Sequence, residues 1–215
     1  MAALVKICGL RTADAVAAAL AGGTDFVGFV FYPPSPRNVT TDEARVLAEI
    51  ARGRAGIVAL LVDPSDALIE DVVAAIAPDL LQLHGSETVE RVREVKRLFG
   101  VPVMKAIKVE TAGDAEAALD YIGVADRILF DAKVPKGLAG ALPGGNGLSF
   151  DWQALEPVQG RIEFMLSGGL TVETVATAAR LTKAWAVDVS SGVESKPGVK
   201  DLGLIAAFLA AAKAA

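Results

Sequence analysis

Eight short apolar runs recur along the chain, each followed by a stretch with helical character, and this alternation limits the fold more than any other feature. The runs are LVKIC (4–8), DFVGFVF (25–31), GIVALLV (56–62), LLQLH (80–84), PVMKAI (102–107), RILFD (127–131), RIEFML (161–166) and AWAVDV (184–189). They are short, almost continuously apolar and bounded by Gly, Pro or Asp. Strands buried on both faces of a parallel sheet read this way, whereas a half-exposed sheet would alternate apolar and polar residues.

Between the runs lie helix-start residues followed by Ala-, Glu- and Arg-rich segments. Thr12, Thr41, Ser65, Ser86, Thr111, Thr171 and Asp201 each precede such a segment, where a short side-chain oxygen can cap a helix N-terminus. Gly22-Gly23 and Arg52-Gly53 supply stop signals. Eight units in 215 residues occupy roughly 27 residues each, a spacing suited to βα repeats. The pattern predicts an α/β fold, a single-domain (β/α)8 TIM barrel over residues 1–215. A doubly wound open sheet would use fewer strands and often a GxGxxG fingerprint after the first, which here runs into CGL instead. One connection departs from the pattern. The segment from Ala132 to Trp152 is long and rich in Gly and Pro, and a short helix at 151–156 is all the helix it leaves room for. A surface loop fits this composition; a ligand loop fits its length.

Composition narrows the function classes. The chain is 53% hydrophobic, enough for a large core. A net charge of -5 argues against a broad nucleic-acid surface, while leaving room for a local cationic pocket. The longest late apolar run, Leu204 to Ala212, is far short of the roughly 20 residues that span a bilayer. With one cysteine no internal disulfide can form, and with no leader signal visible a cytoplasmic location is expected. One Cys and one His do not make a dedicated metal site, and neither HExxH nor CxxC occurs.

In such a barrel the chemistry sits where strands end, at their C-terminal tips. Strand 1 ends at Cys8, and strand 2 leads into YPPSPRN with Arg37. Strand 4 ends in Gln82 and His84, strand 5 carries Lys105, and strand 6 ends at Asp131. Strand 7 leads into Ser167-Gly168-Gly169, and strand 8 carries Asp188 and leads into Ser190-Ser191-Gly192. Each residue has a bland reading. A lone cysteine is more often a small buried hydrophobe than a catalyst, a lone surface arginine more often solubilises, and a glycine pair is an ordinary tight turn. Strand parity puts Lys6 below Cys8 on the inward face. There Asp188 of the neighbouring strand 8 is a candidate partner, and a lysine that snorkels or joins a structural ion pair at the barrel centre is a better reading than catalysis. Together the residues carry more weight. Glycine and serine loops after strands 7 and 8 are a common phosphate cradle in barrels. Prolines around Arg37 stiffen it as a bidentate clamp for carboxylate or phosphate. Cys8 and Asp131 across the same mouth form an acid–base pair.

The motifs KICGL, GFVFYPPSPR, LLQLHG, the FD closing strand 6, GGNG…FDW, LSGGLT and DVSSGVE…GVKD occur in this order. Taken together they resemble the phosphoribosylanthranilate isomerase family of tryptophan biosynthesis, and the resemblance spans essentially the whole chain. It implies a (β/α)8 barrel without a cofactor, acting on a small phosphosugar, as a monomer or a homodimer. By the same resemblance Cys8 matches the general base, Asp131 the general acid, and Arg37 the holder of the anthranilate carboxylate. Gly168, Gly169, Ser190, Ser191 and Gly192 match the phosphate site, and His84 and Asp188 match positions lining the pocket. The pattern departs at Asn146, where threonine is usual, at Ser167, where alanine is frequent, and in strand 3. The implied reaction is an Amadori rearrangement by general acid–base catalysis, with the iminium of the opened sugar as electron sink. Two other readings compete. A histidine-pathway aminoaldose isomerase resembles a two-aspartate site, and Cys8 speaks against it. A phosphosugar-binding barrel without catalysis would not need both Cys8 and Asp131.

Overall fold

In a computed structural model describing residues 3–134 and 142–214, the eight apolar runs pair side by side, all parallel, and β8 returns to β1. The strands are β1 (Leu4–Cys8), β2 (Phe26–Phe31), β3 (Gly56–Leu61), β4 (Leu80–Leu83), β5 (Val103–Val109), β6 (Arg127–Ala132), β7 (Phe164–Leu166) and β8 (Ala186–Val189). They form a closed barrel in sequence order, the (β/α)8 architecture expected from the alternation.

Burial on both faces explains the continuous apolar runs. Outward-facing residues such as Val5, Ile7, Val27 and Phe29 join helix residues in one large core. Inward-facing Val58, Leu80, Met104, Leu129, Met165 and Ala186 fill the barrel itself. At the end opposite the active rim, Phe26 packs on Trp185 with ring centroids 5.7 Å apart, and the Arg127 guanidinium lies over the same indole at 4.9 Å. Aromatic and cation–π contacts thus seal the floor.

Among the described residues seven helices alternate with these strands, namely α1 (Ala13–Ala21), α2 (Thr41–Ala51), α3 (Asp66–Ile76), α4 (Val89–Phe99), α5 (Ala112–Glu116), α6 (Val175–Thr182) and α7 (Leu202–Lys213). Thr12, Ser65, Thr111 and Asp201 cap their helices as expected. Thr40 rather than Thr41 caps α2, in a reciprocal capping box with Glu43. Two starts lie further along the chain. Ser86 spends its N–H and hydroxyl on Asp63, and Glu87 enters a buried pair with Lys105 at 2.7 Å, so α4 begins only after Thr88. Lys105 accordingly points out of the barrel, not toward its mouth. At Thr171 the N–H is held by Thr174 Oγ1 at 2.9 Å, and the helix starts after Thr174. The eighth crossover element, expected near 151–156, is a 3-10 segment, Trp152–Val158. Its exit turn takes up Arg161 and leaves β7 three residues long. Of the long segment that follows Asp131, residues 135–141 lie outside the described residues. Among the described residues, no helix is long and apolar enough to cross a membrane.

The seam between β1 and β8 carries the most demanding contact. Lys6 stands opposite Asp188 in register, wholly buried, with its Nζ 2.8 Å from Oδ1. Burial works against the ammonium, but Asp188 and Cys8 together more than offset it, and the Lys6 pKa lies above the ordinary lysine value. Removing one partner of such a pair strands the other charge. Lys6→Met is therefore expected to cost about 3–5 kcal/mol of unfolding free energy, read from urea denaturation. The Lys6→Met/Asp188→Leu double variant is expected to recover much of that loss, and an unchanged midpoint in the single variant would remove the pair from the stability of the seam.

Candidate active site

The C-terminal rim encloses a pocket lined by the ten residues that the family resemblance assigns to the site, Cys8, Arg37, His84, Asp131, Gly168, Gly169, Asp188, Ser190, Ser191 and Gly192, but not by Gln82 or Lys105. The ten converge because each lies at or just past the end of a strand, and in a parallel barrel all such ends share one face.

Cys8 is the last residue of β1 and 3% exposed. Its side chain points inward like that of Lys6, two residues earlier. Gly28 of β2 supplies the space beside it, since a Cβ there would stand 3.0 Å from the Cys8 sulfur and 3.2 Å from Lys6 Cε. Gly9 turns the chain away in a left-handed conformation (φ +74°), where a side chain would also run into the Arg37 stem 2.7 Å away. Burial pushes the Cys8 thiol above its ordinary pKa, with Asp188 adding to the effect, while Lys6 and Lys200 pull against it. At neutral pH the resting group is a thiol with two cations ready to favour the thiolate.

Asp131 closes β6 across the mouth, three strands from β1 one way round and five the other. Its Oδ1 accepts the Ala132 N–H at 2.9 Å, and its Oδ2 lies 3.1 Å from His84 Nε2. His84 Nδ1 in turn lies 2.8 Å from the Gln82 amide nitrogen, so a buried chain of three side chains runs up from the barrel interior to the acid. The GGNG segment crosses directly above. A Cβ at Gly144 would come within 2.5 Å of His84 Nε2 and 2.8 Å of Asp131 Oδ2, so only glycine lets the backbone pass this close. Asn146 clamps the segment by accepting from the Leu142 N–H at 3.0 Å and donating to the Leu142 carbonyl at 2.7 Å.

Arg37 is not a free clamp. Its Nε and Nη2 make a two-point contact with Glu194, both at 2.8 Å, and Nη2 also donates to the Gly145 carbonyl at 3.0 Å. Its remaining nitrogen, Nη1, faces Gly145, where a Cβ would stand 2.5 Å away. The turn that presents it is fixed locally by Ser35 N–H to Tyr32 O and Asn38 N–H to Ser35 O. Glu194 belongs to a small hairpin, β9 (Glu194–Lys196) and β10 (Val199–Lys200). From β10, Lys200 reaches back to Glu194 Oε1 at 2.9 Å and to the Ser190 carbonyl at 2.8 Å. One carboxylate thus serves two cations. The Glu194 pKa falls below the ordinary value because Arg37 and Lys200 together outweigh its burial. The Lys200 pKa falls because burial dominates and Glu194 offsets it only in part. Glu194 and Lys200 were missed in the sequence. Both stand in the VE…VKD part of a quoted motif, but neither ends a barrel strand, and only the hairpin folds them inward.

Gly168 and Gly169 adopt positive φ (+92° and +63°) after β7, and no backbone acceptor among the described residues takes their N–H groups. Ser190-Ser191-Gly192 follow β8, leading into a 3-10 turn, Ser191–Val193. Asp188, expected along the pocket wall, is held at its base by Lys6 and by the Ser167 hydroxyl at 3.0 Å. Two glycine- and serine-rich loops and the surplus positive charge of the Arg37–Glu194–Lys200 group make this side of the pocket suited to an anion.

Comparison with known proteins agrees with this fold. The family model for N-(5'-phosphoribosyl)anthranilate (PRA) isomerase matches residues 5–211. The N-(5'-phosphoribosyl)anthranilate isomerase of Nitrobacter hamburgensis is 57% identical over 215 residues, spanning 100% of this chain and 95% of the relative. The crystal structure of phosphoribosyl anthranilate isomerase from Thermotoga maritima superposes with a TM-score of 0.88 at 35% identity, covering 99% of this chain and 100% of that one. A phosphoribosyl anthranilate isomerase in complex with reduced 1-(o-carboxyphenylamino)-1-deoxyribulose 5-phosphate has a TM-score of 0.86 at 34% identity, with the same coverage.

The burial of the thiol has a measurable consequence. Alkylation of the single cysteine by iodoacetamide is expected to be still accelerating beyond about pH 8.5, the ordinary thiol value. Lys200→Met removes a cation that favours the thiolate and is expected to move the profile further up. A plateau reached on the acid side of the ordinary value would contradict this environment for Cys8.

Proposed function

Since the chain belongs to the N-(5'-phosphoribosyl)anthranilate isomerase family and is an aldose–ketose isomerase of tryptophan biosynthesis, we propose that its Amadori rearrangement runs between Asp131 as general acid and Cys8 as general base. The observation that carries this reading is the placement of a carboxyl and a thiol across one pocket mouth, with two glycine- and serine-rich loops beside them.

Two proton transfers are needed. Asp131 in its protonated form delivers a proton to the ribose ring oxygen, the C1′–O bond breaks, and the nitrogen lone pair forms a protonated Schiff base. Cys8 as thiolate then takes the proton from C2′, and the C–H electron pair flows toward the iminium nitrogen to give the enolamine, which tautomerises to the aminoketose. The iminium is itself cationic and joins Lys6 and Lys200 in favouring the thiolate at the moment it is required. The electron sink is part of the substrate. Gly168-Gly169 and Ser190-Ser191-Gly192 offer their backbone N–H groups to the phosphate. Arg37 presents its Nη1 edge to the anthranilate carboxylate while Glu194 holds its other two nitrogens.

The direct test is conversion of phosphoribosylanthranilate by the purified protein, followed as loss of its fluorescence; no conversion would overturn the reading. Cys8→Ala and Asp131→Asn are each expected to lower kcat by roughly two to four orders of magnitude, with KM little changed. Near-normal kcat in either would remove that residue from the chemistry. Arg37→Ala and, through loss of the bracing carboxylate, Glu194→Gln are expected mainly to raise KM. An unaltered KM in Arg37→Ala would dismiss the clamp.

A further inference from the structure

Gln82 lies two residues before His84 on the inward face of β4, with no solvent exposure. Its Nε2 is 2.8 Å from His84 Nδ1, and its Oε1 is buried without a hydrogen-bond partner among the described residues. The amide can turn either end to the ring, and the end it turns decides the tautomer of the histidine. Presenting the oxygen would strand an NH2 group with two donors in the interior. Either way one amide N–H is left over; presenting the nitrogen adds a stranded carbonyl oxygen, a less costly orphan than the second N–H that presenting the oxygen would strand. The nitrogen therefore faces the ring, Nδ1 accepts, and the ring hydrogen resides on Nε2, 3.1 Å from Asp131 Oδ2. An ionised carboxylate at that position asks for the same donor, so both ends of the chain select one tautomer.

We infer that Gln82 is a positioning residue for the acid: its amide N–H fixes His84 as the neutral Nε2–H tautomer, so that a proton entering the pair resides on Asp131. A second proton on the imidazole would have to sit on Nδ1, either against the Gln82 N–H or with the amide turned over and both its N–H groups unpaired in the interior. The carboxylate takes the proton instead, becomes the neutral acid, and returns to the carboxylate when it protonates the ring oxygen. The unpartnered Oε1 is the local cost of this arrangement. The inference rests on Asp131 acting as the acid and adds the means by which the proton is kept there.

The chain has a single histidine, so nitrogen-15 NMR of labelled protein reads His84 without overlap. The wild type is expected to show a bare Nδ1 and a protonated Nε2. Gln82→Glu places an acceptor against Nδ1 and is expected to move the hydrogen onto it. Gln82→Met, close in size and without charge, guards against loss of folding; it removes the donor and is expected to give a mixture of tautomers. In both variants kcat should fall roughly tenfold to a hundredfold with KM little changed. An Nδ1–H tautomer in the wild type overturns the inference, as does wild-type kcat in folded Gln82→Met. Asp131→Asn measured alongside separates the two claims. Near-normal kcat there overturns the acid reading and the positioning role with it. A defective Asp131→Asn beside a fully active Gln82→Met overturns the Gln82 inference alone.

Discussion

A single ammonium–carboxylate contact joins the first strand of the barrel to the last. Lys6 and Asp188 face each other across the β1–β8 seam at 2.8 Å, both buried. Burying two charges is expensive, and their attraction repays the cost only when the geometry is good and the remaining valences are used. Here Asp188 also accepts from Ser167 of the neighbouring β7 unit, so three consecutive positions around the barrel wall are tied together. The pair also underlies the site directly, because Cys8 sits one pleat above Lys6 and feels both charges.

Above that pair the mouth divides into two electrostatic halves. Around the thiol, Lys6 and Lys200 provide positive charge, partly answered by Asp188 and Glu194. Around Asp131 the contacts are an amide N–H, the His84 imidazole and a glycine backbone that leaves no room for a side chain. On the proposed assignment the base, which must become an anion, stands near cations, and the acid is held by a backbone N–H and an imidazole. The same contrast is met in many acid–base sites, where two groups of unlike environment share the work.

The βα alternation, the two-sided burial of the strands and the cap residues Thr12, Ser65, Thr111 and Asp201 were all legible in the sequence, since each depends on neighbours within one element. What failed was non-local. Ser86 and Thr171 look like helix caps, yet Ser86 is drawn to Asp63 on another loop, and the residue after it to Lys105 on β5. Lys105 reads as a mouth residue in the run PVMKAI, but Val103 begins the strand and its parity turns Lys105 outward. Strand-end logic found Cys8, Arg37, His84 and Asp131, and it overlooked Glu194 and Lys200 because a hairpin, not a barrel strand, delivers them.

The sequence by itself determined the repeat, the parallel barrel and the identity of the polar groups at the strand ends, because periodicity and local capping act over a few residues. Only the tertiary structure decided how those groups are partnered. Arg37 spends two of its nitrogens on a glutamate 157 positions away, and His84 stands between Gln82 and Asp131. Cys8 is held as a thiol by burial while two lysines oppose it. Desolvation and hydrogen-bond direction depend on what closes over a side chain from distant parts of the chain, and no local pattern carries that.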